Sequence, residues 1–128
     1  MDKFLLDTHT LIWFAQGSPN LSLKAKDLIL EISNECFVSS ISIWEIAIKT
    51  NIGKLDFSFT FQELELLLTE NNIEIISPTI EDFTTYQKLP LLHKDPFDRI
   101  LIAQTITKGL SIITKDGEFT QYEVPVIW

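Results

Sequence analysis

Cysteine is almost missing from this chain: Cys36 stands alone in 128 residues, so no internal disulfide can form and no thiolate cage for zinc can be assembled. That scarcity suits a reducing compartment, and a cytoplasmic protein is expected. Long apolar runs are lacking as well. Phe4-Leu5-Leu6 is too short for the core of a secretion signal, and no stretch approaches the ~18 apolar residues of a membrane-spanning helix. Glycine (four) and proline (five) are few and stand where elements end, with no repeat, linker or low-complexity tract between them. One domain over residues 1–128 is therefore expected, and a chain of this size buries roughly two-thirds of its unfolded surface without help from a metal. The last shortage is of basic residues: 10 against 18 acidic ones, a formal net charge of −8. Polyanions are usually held by basic patches, so this balance alone argues against a nucleic-acid partner. The placement of the acids contests that inference.

What is present is alternation. Phe4-Leu5-Leu6, Cys36-Phe37-Val38-Ser39, Ile73-Glu74-Ile75-Ile76 and Leu110–Thr114 read as short apolar strands, with a last one over Val124–Trp128. Between them the pattern predicts helices at 8–16, 22–33, 42–51, 60–71, 79–89 and 96–108. Leu23, Ala25, Leu28, Ile29 and Ile32 form the expected buried stripe of the second helix, and Phe61, Leu64, Leu67 and Leu68 that of the fourth. Pro96 opens the longest helix and Gly109 closes it. Short strands rich in Ile, alternating with helices, predict a three-layer α/β/α domain around a mainly parallel sheet of four to five strands.

In such a sheet, sites form beyond the carboxyl ends of the strands. Asp7 ends the first strand, Glu45 lies one turn into the helix after the second, Asp95 and Asp98 open the long helix, and Asp116 follows the fourth strand. Carboxylates gathered at one edge repel each other unless a cation neutralises them, and all-oxygen donors select Mg2+ or Mn2+ over zinc. Metal-assisted phosphodiester hydrolysis is the natural chemistry of such a site. Purely structural readings stand beside this one. Asp95 is a good N-cap before Pro96, and Asp98 suits the positive end of the helix dipole. Ser42-Ile43-Trp44-Glu45 reads as a capping box, Glu45 and Lys49 as an i,i+4 ion pair, Asp7 as a cap and Lys115-Asp116-Gly117 as a turn. Caps in an α/β fold gather at the same edge as sites do, so spacing leaves both readings open.

The stretches LLDTHTLIW (5–13), SSISIWEIAIK (39–49), GKL (53–55), LPLLHKDPFDRILIAQ (89–104), ITKD (113–116) and YEVPVIW (122–128) together resemble the PIN-domain family, and within it the VapC-like ribonucleases of type II toxin–antitoxin systems. The resemblance implies that Asp7, Glu45, Asp98 and Asp116 are the catalytic acids that hold Mg2+ or Mn2+, with Asp95 as an additional acid at the metal. It implies supporting roles for Thr8 and Thr114 beside the first and last acids and for Ser42 in orienting Glu45. It implies hydrolysis of RNA by a metal-activated water, a small antitoxin partner whose basic segment suits the acidic edge, a homodimer, and no membrane. Trp13 and Phe14 are the residues expected in the antitoxin groove.

Lys49, Lys94, Arg99 and Lys115 lie within four residues of one of these acids. Lys49 is expected to pair with Glu45, whereas Lys94, Arg99 and Lys115 are expected to hold substrate phosphates. His9 and His93 are expected in structural or surface roles, and Trp13, Trp44 and Trp128 as core and interface anchors. Phe57, Phe59 and Phe61 alternate, as a packed extended segment or an exposed lip would. Two alternatives to a toxin remain: a PIN nuclease of RNA processing, and, from another class, a Mg2+-binding phosphoacceptor receiver domain. The receiver usually needs an acidic pair at the first strand end, where Asp7 stands alone before Thr8.

Overall fold

The computed structural model describes residues 2–128. Its elements run β1 (Lys3–Leu6), α1 (Thr8–Gln16), α2 (Leu23–Leu30), β2 (Glu35–Ser39), α3 (Ser40–Asn51), α4 (Phe61–Glu70), β3 (Ile73–Ile76), α5 (Ile80–Lys88), α6 (Pro96–Lys108), β4 (Ser111–Ile113), a 3-10 turn (Gly117–Gln121) and β5 (Val126–Ile127). The five strands form one parallel sheet in the order β3-β2-β1-β4-β5. The expected α/β class and parallel sheet are therefore present. The receiver alternative is overturned, since that fold orders its strands 2-1-3-4-5.

The central strands β1, β2 and β4 are buried on both faces, which is why they read as runs rather than alternations, while the edge strands β3 and β5 are part-exposed. Phe4, Leu6, Cys36, Val38 and Ile113 pack on one side with α1, α2, α3 and α4. Leu5 and Ile112 pack on the other with Leu101, Ile102, Phe119 and Tyr122. The helix α6 carries buried residues from Arg99 to Thr105 without a break, so it is enclosed on every side. Asp82 ties it to α5: its carboxylate caps its own helix at Thr79 and accepts the Thr107 hydroxyl. The extended segment before α4 lays Phe57 and Phe59 on the core, 5.6 Å apart, and leaves Phe61 exposed.

Three expectations need correction. The second helix ends at Leu30, and Leu23 and Ile32 lie exposed while Ala25 and Ile29 are buried. Ile32 falls beyond the end of the helix, and Leu23, in its first turn, lines an open groove beside Phe14. Trp44 is not core: it is 57% exposed and meets Phe97 edge-on at 5.3 Å. The third helix starts at Ser40, and its cap is Ser39, whose hydroxyl accepts the Ile41 amide. Ser42 therefore lies inside the helix, and the Ser42–Glu45 capping box does not form.

Candidate active site

The chain builds β1, β2 and β3 outward in one direction, then crosses back to lay β4 and β5 on the other side of β1. The switch point lies between β1 and β4, where crevices open in such sheets. Leu6 pairs with Ile113, so Asp7 and Thr114 leave the sheet side by side. The Asp7 amide donates to the Ile113 carbonyl at 3.2 Å, and the Thr114 hydroxyl donates to Asp7 Oδ2 at 2.5 Å. The same hydroxyl accepts the Asp116 amide at 3.0 Å. One threonine thus links two of the acids. Asp7 Oδ1 also caps α1 through the Thr10 amide at 2.8 Å, so the capping reading holds while the other oxygen faces Thr114.

Glu45 comes from α3, on the far side of β1. The Thr8 hydroxyl donates to its Oε1 at 2.7 Å and lies 3.0 Å from the Ser42 hydroxyl, while Lys49 pairs with Oε2 at 2.7 Å. Thr8, Ser42 and Glu45 are all buried. Freed from capping, Ser42 lies against the Thr8 hydroxyl that bonds Glu45. Asp95 caps α6 through the amides of Phe97 and Asp98, and Asp116 caps the 3-10 turn through the Glu118 amide.

Asp98, in the first turn of α6, joins the elements electrostatically. Its carboxyl is pushed up to about 8, first by burial and then by the charges of Asp95, Asp116, Asp7 and Glu45. Burial also raises Asp7, against the hydrogen bonds from Thr10 and Thr114. Each acid has a local partner: Lys49 for Glu45, the His93 ring 3.5 Å from Asp98, and backbone amides for Asp95 and Asp116. As the side chains stand, no three of them among the described residues close to the spacing of a metal shell. The donor set nevertheless fits a hard divalent cation. It is all oxygen, it repels itself at Asp98, and it borders a crevice of about 270 Å3 lined by Asp7, His9, Trp13, Lys115 and Asp116. Cys36 offers no competing nucleophile, because burial pushes its thiol up to about 11.

The basic residues divide. Lys115 stands on the crevice wall, its ammonium 5.9 Å from the centre of the Trp13 ring, and Lys94 is exposed. Arg99 does not hold phosphates from this position. It is only 6% exposed, and its Nη1 donates to the carbonyls of Pro90 and His93 and to the Tyr122 hydroxyl. Its guanidinium lies 5.1 Å from the Tyr86 ring centre, so it braces the loop before α6. Trp13 and Phe14 also part company. Trp13 faces the acidic crevice and packs edge-on to Trp128, whereas Phe14 opens on a separate groove with Leu21, Leu23, Lys26 and Leu30.

Nothing in the residue pattern singles out Tyr122 or gives His93 a part at the acids. Their signal lies in the fold alone, since the turn after β4 brings Tyr122 beside a histidine 29 positions away.

The model of the PIN domain matches residues 4–125. Ribonuclease VapC22 of Mycobacterium tuberculosis (strain ATCC 25618 / H37Rv) is 27% identical over 126 residues, covering 98% of this chain and 95% of that one. Among solved structures, VapBC2 from Rickettsia felis bound to a DNA fragment from their promoter superposes with a TM-score of 0.74 at 17% identity over 98% of both chains. A toxin–antitoxin complex from Klebsiella pneumoniae does so with a TM-score of 0.61 at 18% identity, over 97% of this chain and 95% of the other. With the match running from the first strand to beyond the fourth, the chain belongs to the PIN domain family.

Proposed function

We propose that this chain is a divalent-metal-dependent endoribonuclease, a single nuclease domain over residues 1–128 and the toxin of a type II toxin–antitoxin pair. The observation that carries this reading is that Asp98 feels the charges of Asp7, Glu45 and Asp116, which come from separate elements near the switch point of the sheet. The kinship with ribonuclease VapC22 supports RNA as substrate. Asp7, Glu45, Asp98 and Asp116 are the residues that would hold Mg2+ or Mn2+, with Asp95 at the rim. The ion supplies Lewis-acid polarisation of a phosphoryl oxygen and lowers the pKa of water.

The chain's own part is positioning. Thr114 holds Asp7 and Asp116 in register, and Thr8, backed by Ser42, does the same for Glu45. Lys115 and Lys94 draw the RNA backbone towards an edge that would otherwise repel it. The antitoxin reading uses two surfaces. The apolar groove of about 460 Å3 beside Phe14 suits a partner's hydrophobic segment, and the acidic crevice beside Trp13 suits its basic one. A homodimer belongs to the same reading.

Expression of the chain alone in a bacterium tests this. Growth arrest relieved by co-expression of any small gene found upstream, and by Asp7→Asn, is the expected result. Harmless expression of a protein that cleaves RNA well in vitro would point to an RNA-processing nuclease instead.

A further inference from the structure

We propose that His93 is a positioning residue for Asp98, and that hydrogen bonds running from Arg99 through Tyr122 fix which ring nitrogen faces that carboxylate. The inference rests on Asp98 being a metal-binding acid. It starts from the donors. A guanidinium can only donate, so the 3.0 Å contact from Arg99 Nη1 makes the Tyr122 oxygen an acceptor. The 2.8 Å contact between that oxygen and His93 Nδ1 fits either direction; the phenol is assigned as donor because a ring proton on Nε2 then faces an Asp98 oxygen. With its lone pair so engaged, Nδ1 is bare and the ring proton sits on Nε2.

Nε2 is buried, has no hydrogen-bond partner at good geometry, and lies 3.5 Å from Asp98 Oδ2. A buried N–H without an acceptor is costly, and Asp98, ionised once a cation is bound, offers one. A small rotation of either side chain makes the bond. The ring has little other freedom: it packs against Tyr122 at 5.4 Å and Phe119 at 6.5 Å, and the His93 carbonyl accepts from Arg99. Arg99 follows Asp98 on α6, so the relay starts and ends on the same helical turn. His93 thereby holds one oxygen of Asp98 and leaves the other for the ion. The burial of Arg99 acquires a purpose, since it sets the tautomer of the histidine that steadies its neighbour.

Two measurements test this. A long-range proton–nitrogen-15 spectrum of the wild-type protein loaded with Mg2+ should show His93 protonated at Nε2 and bare at Nδ1; a proton on Nδ1, alone or together with Nε2, would overturn the relay. Mn2+ affinity, followed by electron paramagnetic resonance, should fall about 10–100-fold in His93→Ala and return to within about threefold of wild type in His93→Gln, whose amide nitrogen can take the place of Nε2. His93→Asn, which reaches only to the Nδ1 position, should not recover. Equal losses in His93→Ala and His93→Gln, or no loss in either, would contradict the positioning role. If the wild-type protein bound no Mn2+ while showing the expected tautomer, the metal reading of Asp98 would fall, and the positioning role of His93 with it.

Discussion

Thr114 carries more of the site than its size suggests. Its hydroxyl donates to Asp7 and accepts the amide of Asp116, and Thr114 and Asp7 are both buried. Thr114→Val keeps the shape and removes both bonds, stranding a buried carboxylate oxygen and an amide. The expected cost is about 1–3 kcal/mol in urea unfolding. A parallel loss of Mn2+ affinity should accompany it, and Thr114→Ser should recover both. Asp98 gives a pH signature. Its folded-state carboxyl is raised to about 8 while the unfolded one titrates at the ordinary 3.8, so the folded state holds the extra proton between those values. Its contribution to stability is complete below pH 3.8 and is lost as pH rises through about 8. In EDTA, Asp98→Asn should therefore melt higher than wild type, by a margin that widens from about pH 6 to about pH 9. Added Mg2+ should narrow the margin. A margin independent of pH would show that neither burial nor the other acids raise the Asp98 carboxyl. Asp7, Asp95, Asp98 and Asp116 were legible in the sequence because each lies where a strand ends or a helix begins, whereas Glu45 lies inside α3 and was legible through the resemblance. Arg99 was not, because successive helical residues point about 100° apart, and the neighbour of a site residue can face the core.

At the scale of elements, the start of α3 separates two accounts of the same serines. Ser39 is the observed cap, and Ser42 is a buried support for Thr8 and Glu45. Ser39→Ala should cost about 1 kcal/mol in thermal or chemical unfolding, the usual loss when a cap is removed. Ser42→Ala should leave the start of α3 unchanged by hydrogen exchange and act on Mn2+ affinity instead. The reverse pattern would restore the capping box at Ser42. The strands and the enclosed α6 could be read directly, since continuous apolar runs follow from burial on two faces. The caps were harder, because several serines and acids within one turn can each accept the free amides. The apolar period marks Leu23, Ile32 and Phe61 for burial, yet all three are exposed. Periodicity identifies the apolar side of a helix, while the extent of the sheet beneath decides how much of it is covered.

For the whole molecule, the charge of −8 is the property the fold reinterprets. Five of the 18 acids stand at one edge. By formal counting, one divalent ion there brings the chain to about −6 and two bring it to about −4. The metal-free protein should bind RNA poorly, and binding should strengthen with Mg2+. Lys115→Ala should weaken that binding and lower its salt slope by about 0.7, the loss of one phosphate contact on a single strand. An unchanged slope would remove Lys115 from the substrate path. The central claim, that this edge is a metal-dependent ribonuclease site, is tested most directly by the rate at which the purified chain cleaves RNA with Mg2+ or Mn2+, in wild type and in Asp98→Asn. Cleavage that EDTA abolishes and either ion restores, lost in Asp98→Asn by more than the ~100-fold expected of an outer support, is the predicted result. Cleavage that survives EDTA, or an Asp98→Asn protein as active as wild type, would contradict it.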